Sequence, residues 1–205
     1  MKPEQKEIFY FANNDKENIK NSPQLETFIA NNIPVLLMTD AVDEFWLQNI
    51  GKYKDYDFKS ISKGKVDLTK VGENKETKKD SNKKINNKIN SLALLLKNEL
   101  KESISDVIIS SRLTKSPVLL VAEESGMDIN MEKLMKMHNQ KTPDSKKILE
   151  INAEHPMIVK ISENLSSFDH KKVAQVILDQ ANILDGNVLS NPTGYMESLT
   201  ELFIN

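Results

Sequence analysis

The sequence predicts a mixed fold: a small α/β layered unit followed by an α+β unit that closes on helices. Three observations carry this. Residues 8–62 alternate strand-like and helix-like segments, residues 63–84 are dense in lysine, and a long amphipathic helix then leads into short strands and two closing helices.

In the first unit, Ile8 to Ala12 has the character of a strand, and Ser22-Pro23 opens a helix that reaches about Ala30, serine serving as the cap and proline as the first helical residue. Val35 to Met38 is apolar enough for a buried strand. Asp40 begins a second helix with Val42, Phe45, Trp46 and Ile50 on one side, and "FKSIS" (58–62) is a further short strand. The stretch 63–84 holds eight lysines and four acids against three branched apolar residues, too few to offset the entropy of ordering it. A solvated linker, 71–81, is the reading of its middle. A polybasic patch is the alternative, diluted by Asp67, Glu73, Glu76 and Asp80.

The second unit starts with Ile85, Ile89, Leu92, Leu96 and Leu100 at steps of three and four, one apolar face of a helix. "DVIIS" (106–110) and "VLLVAEE" (118–124) follow as strands, Pro117 suiting the position before a ladder begins. "ILEIN" is a third strand, and His155-Pro156 opens a helix. The last two helices run from about Asp169 to Leu184, with Val173, Val176, Ile177, Ala181 and Leu184 on one face, and from Asn191-Pro192 onward, with Tyr195, Leu199, Leu202 and Phe203.

Composition excludes several functions. The chain has no cysteine, so disulfides, thiolate metal sites and thiol nucleophiles are absent. A net charge of -2 and a single arginine, Arg112, leave little for nucleic acid to bind. No apolar run approaches membrane-spanning length, and no signal-peptide layout opens the chain, so a soluble, cytosolic protein is expected. His138, His155 and His170 show no metal-ligand spacing, and the six glycines are scattered singly, which leaves no phosphate-cradling loop. Asp43-Glu44 suits the positive end of a helix better than a catalytic pair. These residues describe a binding or assembly module with no catalytic group and no metal of its own.

Five segments in order, "VLLMTDAVDEFW" (35–46), "SISKGKVDL" (60–68), "SRLTKSPVLLVAEE" (111–124), "NMEKLMK" (130–136) and "ILEINAEHPMI" (148–158), resemble the heat-shock protein 90 chaperones, in particular the bacterial type. The resemblance implies that residues 1–70 form the small α/β end of the family's middle domain and 82–205 its C-terminal dimerisation domain, ending in a helical-bundle interface. It also implies that ATP and Mg belong to an N-terminal domain outside this chain, so that the fragment is not itself an enzyme and Met1 is internal to a longer ATP-hydrolysing chaperone. The expected partners are a second copy of the chain and unfolded or partly folded client proteins. The ending "LTELFIN" lacks the acidic tail by which eukaryotic cytosolic members recruit co-chaperones.

By the same resemblance, the dimer face falls on Val173, Val176, Ile177, Ala181, Leu184, Tyr195, Leu199, Leu202 and Phe203. The helix at 127–137 would contact clients through Met127, Met131, Leu134 and Met135, with Phe45 or Trp46 adding an aromatic contact. Four of the chain's eight methionines lie in that short segment. A methionine and leucine stripe at helical spacing suits either a core face or an adaptable binding face. Exposure of Met131 and Met135 is the expectation that separates the two. A purely structural dimeriser, with that helix merely packed, is the alternative function.

Overall fold

The computed structural model describes residues 5–14, 16–17, 19–47, 50–64, 66, 83–142 and 145–204. The expected linker at 71–81 lies outside these residues. The fold is mixed α/β, with two small sheets and helices around them. By contacts in space the chain forms two units, Met1–Thr77 with Val121–Ser145 and Lys78–Leu120 with Lys146–Asn205.

The first unit is built on β1 (Glu7–Ala12), which lies between β2 (Leu36–Met38) and β4 (Tyr56–Ser60) and is parallel to both. A short strand, β3 (Lys52–Tyr53), closes the sheet antiparallel to β4, giving the order β2-β1-β4-β3. Parallel neighbours need a crossover, and the helical residues between β1 and β2 supply it, ending in α1 (Glu26–Ala30). Ser22 accepts the Gln24 N–H at 3.3 Å and Pro23 follows as the first helical residue, the local chemistry the sequence suggests. Strand alternation puts Phe9 and Phe11 on one face, where they are buried with Ile19, Leu25, Phe28, Ile33, Ile61 and Val66. Phe9 and Phe28 meet edge to face at 5.2 Å.

Two expectations for this unit need correction. β2 is an edge strand whose Leu36 is exposed, so Val35 to Met38 is not a buried run. Among the described residues the helix expected from Asp40 is α2 (Asp43–Leu47), and Val42, Phe45 and Ile50 face outward.

The second unit begins with α3 (Lys83–Glu99), whose Ile89, Leu92 and Leu96 are buried. Its sheet has the order β5-β7-β6, with β5 (Ile104–Ile109) parallel to β7 (Lys147–Ile151) and β6 (Val118–Val121) buried along its whole length. α5 (Pro156–Glu163) is capped by His155, whose Nδ1 accepts the Met157 N–H at 3.2 Å. α6 (His170–Leu184) is capped by Asp169, and α7 (Pro192–Ile204) packs against α6. α3 packs on β5, α5 and α6. The lone arginine is here: Arg112 and Glu150 form a buried ion pair at 3.0 Å, and Ser110 Oγ donates to Glu150 at 2.5 Å. The Ser110 hydroxyl gives the Glu150 carboxylate a further partner, which offsets part of the cost of enclosing the pair.

Candidate functional site

The methionine segment forms α4 (Ile129–Met137) in the first unit. Asp128 caps it, its Oδ1 accepting the Asn130 N–H at 3.1 Å. The same carboxylate reaches beyond the helix. Its Oδ2 accepts from Ser60 Oγ at 2.7 Å and Ser62 Oγ at 2.6 Å, and the two hydroxyls stand 2.8 Å apart. Asn130 Nδ2 donates to the Ala12 carbonyl at the end of β1. Lys63 and Ala122 form a parallel bridge beside this contact, with Ala122 N–H on the Ser62 carbonyl at 3.0 Å. The helix is therefore held to the sheet by polar groups at its first turn.

That anchoring decides the methionines. Met131 is 7% exposed and Leu134 5%, whereas Met137 is 75% exposed. Met127 and Met135 are half-buried. The expected exposure of Met131 is thus corrected. Asn130 and Leu134 are one turn apart, so the hydrogen bond that seats Asn130 on Ala12 turns Leu134 and its neighbour Met131 inward.

Of the aromatic pair, Phe45 is exposed and Trp46 half-buried. The Trp46 ring meets Phe58 edge-on at 6.2 Å, and its indole N–H donates to Asp43 Oδ1 at 3.0 Å. Trp46 is a packing residue here, and Phe45 faces solvent.

On α6, Val173, Val176, Ile177 and Ala181 are all buried within the chain, while Leu184 is 40% exposed. The first four are therefore corrected from partner-facing to core: they seat α6 on its own unit, where α3 lies against it. Tyr195, Leu199 and Leu202 on α7 are half-buried, and Met196 and Ile204 beside them are exposed. The Phe203 side chain lies outside the described ones. α6 and α7 are tied at their far ends by Lys172 and Glu201 at 2.6 Å. Asn191 caps α7, its Oδ1 accepting the Gly194 N–H at 3.0 Å. Val188, in the turn between the two helices, is 95% exposed. Leu184, Val188 and Met196 are thus apolar groups left open by the described chain, and Leu199 is half-buried.

Sequence reasoning missed the Ser60, Ser62 and Asp128 cluster. Only the Asp128 cap had a local signal, an acid just before an apolar period. Among the described residues no group of His, Asp and Glu could hold a metal ion, and no helix is long and apolar enough to cross a membrane.

Comparison with known proteins gives these elements a family. The model of the Hsp90 protein family matches residues 1–205. The chaperone protein HtpG of Roseobacter denitrificans is 38% identical over 198 residues, covering 94% of this chain and 32% of the relative. HtpG of Nitrosomonas europaea is 37% identical over 204 residues, covering 100% of this chain and 31% of the relative. HtpG of Orientia tsutsugamushi is 35% identical and covers 95% of this chain. The chain spans about a third of the length of these curated relatives. It belongs to the heat-shock protein 90 family of chaperones, as a member of the HtpG type.

Proposed function

We propose that this chain is the dimerisation and client-protein-binding region of an ATP-dependent HtpG-type chaperone, with residues 1–70 the end of a middle domain and 82–205 a C-terminal dimerisation domain. The observation that carries the reading is the set of open apolar groups on the last two helices and the turn between them, with Val188 95%, Met196 57% and Leu184 40% exposed. Surface of this kind contributes about 25 cal/mol per Å² when a second chain covers it. Two copies of α6 and α7 would place like groups face to face, the isologous arrangement of a two-fold bundle.

The client face is the second part of the proposal. Met127, Met135 and Phe45 give it partly open apolar groups, and Met131 and Leu134 extend the same stripe beneath. Methionine suits varied sequences because its unbranched side chain repacks at low cost. This reading assigns ATP and Mg to a part of the longer protein outside these residues. The burial of Met131 and Leu134 favours one alternative, a structural dimeriser in which α4 only packs.

Sedimentation equilibrium tests the dimer. The wild-type chain should sediment as a dimer at tens of micromolar, and Leu199→Asp should shift it to monomer by placing a charge in the seam. A monomeric wild type at those concentrations removes the claim. Titration with a permanently unfolded, reduced and carboxymethylated protein tests the client face. Phe45→Ser with Met135→Ser should weaken binding severalfold while dimer mass holds. Unchanged binding leaves the structural dimeriser.

A further inference from the structure

We infer that α4 is a releasable strap. Its polar latch, Ser60, Ser62, Asp128 and Asn130, keeps Met131 and Leu134 from water, and opening the latch frees the whole apolar stripe. The inference rests on the client-face reading above and adds a means of regulating that face.

Three observations support it. The buried side of α4 mixes polar with apolar groups: beside Ile129, Met131 and Leu134, the polar Asp128, Asn130 and Glu132 are 8%, 7% and 7% exposed. A helix selected only to stay down would place apolar residues there, since buried carboxylates and amides are favoured only while their partners remain. Asp128 and Asn130 exchange Ser60, Ser62 and the Ala12 carbonyl for water when the helix lifts, while Glu132 keeps Lys136 on the same helix, so opening these contacts costs less than opening apolar ones of the same area. Met127, Met131 and Met135 are spaced four residues apart with Leu134 beside them, so the hidden and the half-open groups form one continuous face once the helix is free. Finally, both ends of α4 are turns. Gly126 N–H closes on the Glu123 carbonyl at 2.9 Å before it, and Asn139 has φ 52° after it, so the helix can move as a body without unwinding.

The test uses the 205-residue chain with Ser60→Ala and Ser62→Ala together, which removes both hydroxyl donors and leaves the Asp128 cap in place. Peroxide should oxidise Met137 quickly and Met131 slowly in the wild type. In the double variant the Met131 rate should rise about tenfold toward that of Met137, and amide exchange should quicken through 129–137 while β1 and α1 keep their protection. An unchanged Met131 rate overturns the strap. So does joint loss of protection in α4, β1 and α1, since the serines would then support the unit as a whole. If the double variant does not fold, the single Ser62→Ala, which removes one hydroxyl donor and leaves the cap in place, is judged by the same readouts. Binding of the carboxymethylated unfolded protein separates the two readings. Release with severalfold tighter binding supports both; release without tighter binding upholds the strap and removes the client face; tight binding with no release removes the strap alone.

Discussion

α4 and the α6–α7 pair carry apolar stripes of similar design, yet the fold treats them in opposite ways. On α4, the residues at the centre of the stripe, Met131 and Leu134, are buried and the outer end at Met137 is open. On α6 the stripe sinks into its own unit, with Ile177 and Ala181 at 0% exposure, and the open surface passes to Val188 and Met196 beyond it. The difference lies in what holds each helix down. α6 is seated by apolar burial, which resists water throughout. α4 buries Ile129, Met131 and Leu134 as well, but its first turn adds hydrogen bonds to Ser60, Ser62 and Ala12, which water can replace.

The comparison predicts unequal costs for similar substitutions. Ile177→Ala empties a fully enclosed site on α6 and should lower stability by about 2–5 kcal/mol, read from denaturant unfolding of the second unit. Met131→Ala should cost about 2–3 kcal/mol, and Met137→Ala on the same helix within about 0.5 kcal/mol. Equal costs for Met131 and Met137 would show that α4 is not held as described.

The smallest effect concerns the start of α6. Asp169 accepts the Lys172 N–H at 3.0 Å, and that backbone hydrogen bond holds its carboxyl below the ordinary value. A carboxylate whose pKa is lowered on folding adds stability above its unfolded value, and that stability fades as pH falls through the folded one. Asp169→Asn keeps a capping side chain without the titration. Melting temperature measured from pH 6 down to about pH 3 should fall slightly less steeply in this variant than in the wild type.

The two regions also differ in how far they could be read from the sequence. Local chemistry was legible: Ser22-Pro23, His155-Pro156 and Asp169 all mark helix starts, and the period of Ile89, Leu92 and Leu96 gave the buried face of α3. The α6 face was legible as apolar, but periodicity states only that a face is covered, not by which chain. Its assignment to a partner therefore failed for Val173, Val176, Ile177 and Ala181. α2 misled because Val42, Phe45 and Ile50 share an apolar character that suggests a packed side, yet all three are exposed. The latch was not legible, since Ser60 and Ser62 meet Asp128 across 68 and 66 residues and no spacing rule links them. Nor was the return of residues 121–145 to the unit that contains the β1 sheet, which is a long-range pairing.

Oxidation of the chain's own methionines tests the central contrast in one measurement, because Met131, Met137 and Met196 report on a closed face, an open end and an uncovered group. Peroxide rates for each, taken across a dilution series from tens of micromolar downward, should keep Met131 slow and Met137 fast throughout. Met196 should be slow at high concentration and about tenfold faster once the dimer dissociates. A Met196 rate that matches Met137 at every concentration would contradict the account.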